Sequence, residues 1–130
     1  MILLDTDVCI ELLRGNVKVI AHRKRSAEQT AISFMTVGEL LYGAAKSSYP
    51  EKNQRLVEEF ILTIMIIQST MSIMQKFGSL KAELDRQGQL ITDADLFIAA
   101  TALTHCTTLV TGNTKHFQRI EALHTQNWIR

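Results

Sequence analysis

Apolar residues run along this chain in two rhythms. Short apolar blocks at residues 2–4, 31–34, 65–67 and 107–110 read as buried strands. Between them lie longer stretches in which apolar positions recur every three or four residues, as on one face of a helix. The expected helices are 8–13, stopped by Arg14-Gly15-Asn16, then 17–28, 37–46, 51–63, and 71–86, which Gly88 ends. Residues 93–103 are apolar on nearly every side, the pattern of a helix buried in the domain or in a subunit interface. Gly112-Asn113 reads as a turn. Short strands alternating with longer helices predict an α/β three-layer sandwich, a mainly parallel central sheet flanked by helices. In such sheets the working crevice lies beyond the carboxyl ends of the strands, so polar residues that directly follow a strand are the first candidates. Asp5 and Asn113 are two of them.

Composition narrows the picture without redirecting it. A chain of 130 residues, 46% of them hydrophobic, has room for one domain spanning 1–130 and for an ordinary core. Its longest apolar run, residues 60–67, is broken by Thr63 and falls far short of the roughly 20 residues of a membrane-spanning helix. The opening Met1-Ile2-Leu3-Leu4 meets Asp5 at once and lacks the form of a secretory signal, so a cytoplasmic protein is expected. Cys9 and Cys106 have no CxxC companion and suggest two reduced core thiols rather than a zinc site or a disulfide. A formal charge of +1 neither announces nor excludes a polyanionic ligand. The run His22-Arg23-Lys24-Arg25 has two readings, a phosphate contact or the solvated end of a helix, and the second is commoner.

Three acidic motifs carry the candidate chemistry. In Leu3-Leu4-Asp5-Thr6-Asp7 a buried strand delivers a carboxylate to the rim of the sheet; the plain alternative is that Asp5 or Thr6 only caps the next helix. Thr36-Val37-Gly38-Glu39 has the form of a capping box, in which Glu39 folds back onto the backbone of Thr36. In Thr92-Asp93-Ala94-Asp95 the same capping alternative applies, but it leaves unexplained why Asp95 leads into a nearly all-apolar helix, where an unpaired carboxylate is costly to bury.

Taken together, LLDT at the start, TVGELLYGAAKS, KAELDRQGQLITDADLFIAA, LVTGNTKHF and the closing Asn127-Trp128 resemble, in order and over essentially the whole chain, the PIN-domain family and its VapC-like branch. The resemblance implies a homodimeric α/β ribonuclease, the toxin of a toxin-antitoxin pair, with Asp5, Glu39 and Asp95 gathered around Mg²⁺ or Mn²⁺. It places Asn113 where relatives often have a fourth acid. Asn113 carries no charge and is expected to act by hydrogen bonds to water on the metal. The chain departs from the family pattern at Asp7, Thr92 and His116, and the roles of Asp7, Asp93 and His116 stay open. RNA as substrate, products ending in 5′-phosphate and 3′-hydroxyl, and a small VapB-like antitoxin, possible also in a larger assembly, are likewise implied.

The chemistry is consistent with these residue types. Three carboxylates drawn to about 5 Å repel by roughly 3 kcal/mol per pair at an effective dielectric near 20, and a hard divalent cation with oxygen ligands offsets that. A cation held there would supply an activated water for in-line attack on the phosphorus, with Glu39 the candidate for combined ligand and proton acceptor. A solitary PIN nuclease without antitoxin and a catalytically silent α/β interaction module are the alternatives. A receiver-like domain needs an aspartate after a central strand, and Met65-Ile66-Ile67-Gln68 has none.

Overall fold

A computed structural model describes residues 1–130. Five strands, β1 (Ile2–Leu4), β2 (Thr30–Ser33), β3 (Met65–Ile67), β4 (Thr108–Val110) and β5 (Thr125–Gln126), form one sheet in the order β3-β2-β1-β4-β5. Every neighbouring pair is parallel. Parallel strands need crossovers, and seven helices supply them: α1 (Thr6–Leu13), α2 (Val17–Arg25), α3 (Phe34–Ala45), α4 (Pro50–Ile61), α5 (Met71–Arg86), α6 (Asp93–His105) and α7 (Thr114–Phe117).

The pleat sorts the strand residues onto two faces. Ile2 and Leu4 point to the same side as Ile32 and Val110, where Val8, Cys9, Val19, Leu40, Val57, Phe60 and Trp128 close the first core. Leu3, Ala31 and Leu109 point to the other side and meet Leu84, Leu96, Ile98, Ala99, Phe117 and Ile120. Helices α1 to α4 thus cover one face and α5 to α7 the other, the three layers expected from the sequence. α6 is the buried helix anticipated for residues 93–103. Its Thr101 and Thr104 hydroxyls donate to the carbonyls of Phe97 and Ala100 one turn back, which satisfies them in apolar surroundings.

Several boundaries differ from the expected ones, and one difference matters for function. α3 begins at Phe34 rather than 37, because Ser33 at the end of β2 caps it: its Oγ accepts from the Met35 amide at 3.0 Å. Thr36 is therefore inside the helix and fully buried, and the Thr36 to Glu39 capping box does not form. Ser33→Ala is expected to cost about 1 kcal/mol of stability, read as a lower urea midpoint. α2 ends at Arg25, not at 28, and α4 starts on Pro50. α7, of four residues, and β5, of two, are too short for any periodicity to reveal.

The basic run lies at a helix end, as one of its two readings has it. It forms the last turn of α2, where the Arg23 guanidinium donates to the Thr63 carbonyl at 3.0 Å and lies over the Phe60 ring. His22 stacks on Trp128 with ring centroids 5.6 Å apart. Cys9 and Cys106 are both free thiols, the first buried and the second half-buried. No helix is long and apolar enough to cross a membrane.

Because β2 and β4 flank β1 on opposite sides, the chain leaves β1 at a topological switch point, and a crevice opens beyond the ends of β1 and β4.

Candidate active site

Asp5 is the first residue past β1 and the N-cap of α1. One of its oxygens accepts from the Thr6 amide at 2.8 Å, and the other from the Thr111 hydroxyl at 2.7 Å. Capping and site membership are thus not alternatives for this residue: Oδ1 caps, while Oδ2 faces the end of β4. Only 6% of Asp5 is exposed. Burial, together with the nearby negative charges of Asp7 and Asp95, pushes its pKa up to about 7, against the hydrogen bonds from Thr111 and Thr6 that pull it down.

Glu39 lies in the second turn of α3, where the earlier helix start has placed it facing α1. Its Oε1 accepts from the Thr6 hydroxyl at 2.7 Å, and the Thr36 hydroxyl stands 3.1 Å from that of Thr6. Since Asp5 takes the Thr6 amide and Glu39 the Thr6 hydroxyl, a single threonine joins the two acids. It was considered in the sequence only as a cap.

Asp95 sits in the first turn of α6. Thr92 does cap that helix, its hydroxyl accepting from the Asp95 amide at 3.2 Å, but the Asp95 carboxylate does not return the bond. Its Oδ2 lies 3.3 Å from His116 Nδ1, and the Asn113 side-chain nitrogen lies 2.8 Å from the same ring atom. A carboxylate oxygen can only accept, so the consistent arrangement puts the proton on Nδ1 and turns the Asn113 amide to present its oxygen. The Asn113 backbone N–H donates to the Thr111 hydroxyl oxygen at 2.9 Å. A continuous path therefore runs from Asp5 through Thr111, Asn113 and His116 to Asp95. Thr111, not Asn113, is the polar residue that directly follows β4, so the strand-end rule points to it.

The two remaining acids separate. Asp7 belongs to the crevice: its Oδ2 accepts from the Gly112 amide at 2.9 Å and Oδ1 from the Val8 amide at 2.8 Å. Burial raises its pKa, opposed by those amides and by the charge of Arg130. The approach at Gly112 is close: a Cβ there would stand 2.8 Å from Asp7 Oδ2 and 2.9 Å from Ile129 Cδ1, so any larger residue would have to displace those two side-chain ends. Asp93 faces away and pairs with Lys81 at 3.0 Å on the surface.

Asp7 and Asp95 are near enough for their charges to raise the pKa of Asp5, Asp95 likewise raises that of Asp7, and Thr6 brings Glu39 to the same rim. The donor set is all oxygen and its charge is uncompensated on the Asp5 side, which suits a hard cation such as Mg²⁺ or Mn²⁺. As placed, no three His, Cys, Asp or Glu side chains stand close enough together to hold a metal ion.

The chain is similar to known proteins over nearly its whole length. The chain is 38% identical over 128 residues to a Haemophilus influenzae protein named Ribonuclease VapC2, covering 98% of this chain and 97% of that protein. It is 33% identical to the Shigella flexneri tRNA(fMet)-specific endonuclease VapC, over 97% and 96% of the two chains. Among solved structures, it superposes with a TM-score of 0.89 and 34% identity on a chain of VapBC-1 from nontypeable Haemophilus influenzae, covering all of both chains. A chain of the DNA-bound VapBC of Salmonella typhimurium gives 0.91 at 30% identity, over 98% and 97%. With a PIN domain matched across residues 2–123 and acids at the switch point of a parallel sheet, the chain belongs to the PIN-domain family.

Proposed function

We propose that this protein is an endoribonuclease that depends on Mg²⁺ or Mn²⁺ and acts in the cytoplasm as the toxin of a toxin-antitoxin pair. The observation that carries this reading is the connected set of acids: Asp5 linked through Thr6 to Glu39, and through Thr111, Asn113 and His116 to Asp95. Asp5, Glu39 and Asp95 would hold the cation. When bound, it would neutralise charge on the scissile phosphate and lower the pKa of water at the site.

The chain's own residues do the positioning. Thr111 fixes Asp5 from the β4 side, Thr6 orients Glu39 from the α1 side, and His116 holds Asp95 with Asn113 behind it. Glu39 is the best placed proton acceptor, since it is half-buried and bonded by one hydroxyl only. Asn113 acts through His116 in this reading, because its amide is already engaged there.

The named relatives are ribonucleases, and solved neighbours include a toxin-antitoxin complex, which supports a toxin held in check by a small VapB-like antitoxin; a homodimer is the form in which it would act. A basic antitoxin side chain placed among the acids would supply the countercharge the crevice lacks. The test is incubation of the purified protein, free of antitoxin, with total RNA in MnCl2 or MgCl2 and in EDTA, followed by sequencing of the ends. Cleavage leaving 5′-phosphate and 3′-hydroxyl ends, abolished by EDTA, is the expected result; intact RNA under every divalent condition sinks the proposal.

A further inference from the structure

Beside the acids, on the far side of Asp7, lies an open pocket lined by Asp7, Gly112, Asn113, Thr114, Lys115 and Arg130. None of the six is apolar, and none offers an aromatic face on which a base could stack. Its one carboxylate, Asp7, accepts a backbone amide on each oxygen. Against that single negative charge stand two cations. Lys115 and Arg130 are exposed, and neither has a carboxylate within ion-pair distance. Arg130 is also held in place, one guanidinium nitrogen donating to the Gly112 carbonyl at 2.8 Å, which leaves its other donors for a ligand.

We infer that this pocket binds a backbone phosphate of the RNA strand, one next to the phosphate that is cut, with Lys115 and Arg130 as its two cationic contacts. The inference rests on the ribonuclease reading and names a substrate contact outside the acids. Asn113 is shared between the pocket and the path to Asp95, so a strand seated here continues directly onto the carboxylates. The chemistry recognised is the phosphodiester, independent of base.

The experiment compares wild type with Lys115→Glu and with a Lys115→Ala, Arg130→Ala double variant. Lys115→Glu leaves the Arg130 bond to Gly112 intact, so folding is not at issue for it. In steady-state cleavage of a short fluorescein-labelled RNA, KM should rise about tenfold while kcat stays within about twofold. The slope of log kcat/KM against log KCl concentration should flatten by about 0.7, the value of one phosphate contact on a single strand. Lys115→Arg should behave as wild type. Unchanged KM and salt slope in a cleaving enzyme would overturn the inference. So would unchanged RNA kinetics combined with loss of binding to a poly-glutamate peptide, which would make the pocket a docking site for acidic protein. Fluorescence anisotropy of the same RNA on Glu39→Gln protein reads the pocket without cleavage, so failure of the nuclease reading and failure of this inference are distinguishable.

Discussion

Glu39→Gln is expected to lower divalent-dependent RNA cleavage by a factor of about 10²–10⁴, the range for losing a positioned proton acceptor, while leaving the folded protein essentially as stable as before. Glutamine retains an oxygen that accepts from the Thr6 hydroxyl, so the bond between α1 and α3 survives. The start of α3 is also untouched, because Ser33 and not Thr36 caps it. What disappears is one negative charge at the rim of the crevice. Two measurements decide the matter: initial cleavage rates in MnCl2 and the urea midpoint in EDTA. Wild-type rates would remove Glu39 from the chemistry, whereas a large drop in midpoint would show that it serves the fold.

A second large effect concerns Asp5 and pH in the metal-free protein. The folded pKa near 7 lies above the ordinary 3.8, so between about pH 4 and pH 7 the native state binds a proton that the unfolded chain has released. Stability then falls as pH rises through that window, by an amount on the order of 4 kcal/mol if Asp5 acted alone, and is flat above it. Asp7 shifts in the same direction and adds to the trend. Urea unfolding in EDTA at intervals from pH 5 to pH 8 should show this decline, and Asp5→Asn should flatten it and be more stable than wild type at pH 8. MnCl2 should restore wild type most strongly at the alkaline end, where the carboxylates are charged. A wild-type midpoint that rises across this range, with Asp5→Asn rising in parallel, contradicts a protonated Asp5 in the native state.

Much of this was legible in the residues themselves. The four longer strands, the buried α6 and the acids after β1 and at the start of α6 follow from alternation, helical spacing and one rule about strand ends. The error at α3 has a definite cause. Thr36 and Glu39 match a capping box, while the true cap, Ser33, is hidden between Ile32 and Phe34 in a short apolar block. Local pattern could not choose between two hydroxyls three residues apart; tertiary packing chose, by burying Thr36. The path through Thr111, Asn113 and His116 was beyond local reading for another reason, since its ends are Asp5 and Asp95 and its middle comes from a different crossover. Order of strands across the sheet is likewise absent from any single segment.

The bond from Thr111 to Asp5 spans 106 positions along the chain. Loops of that length close late in folding, after local helices have formed. A chain still emerging from the ribosome, with β4 not yet made, lacks both the brace on Asp5 and the histidine that steadies Asp95. An endoribonuclease of the kind proposed would therefore gain its braced site only once residues 111–116 have been made.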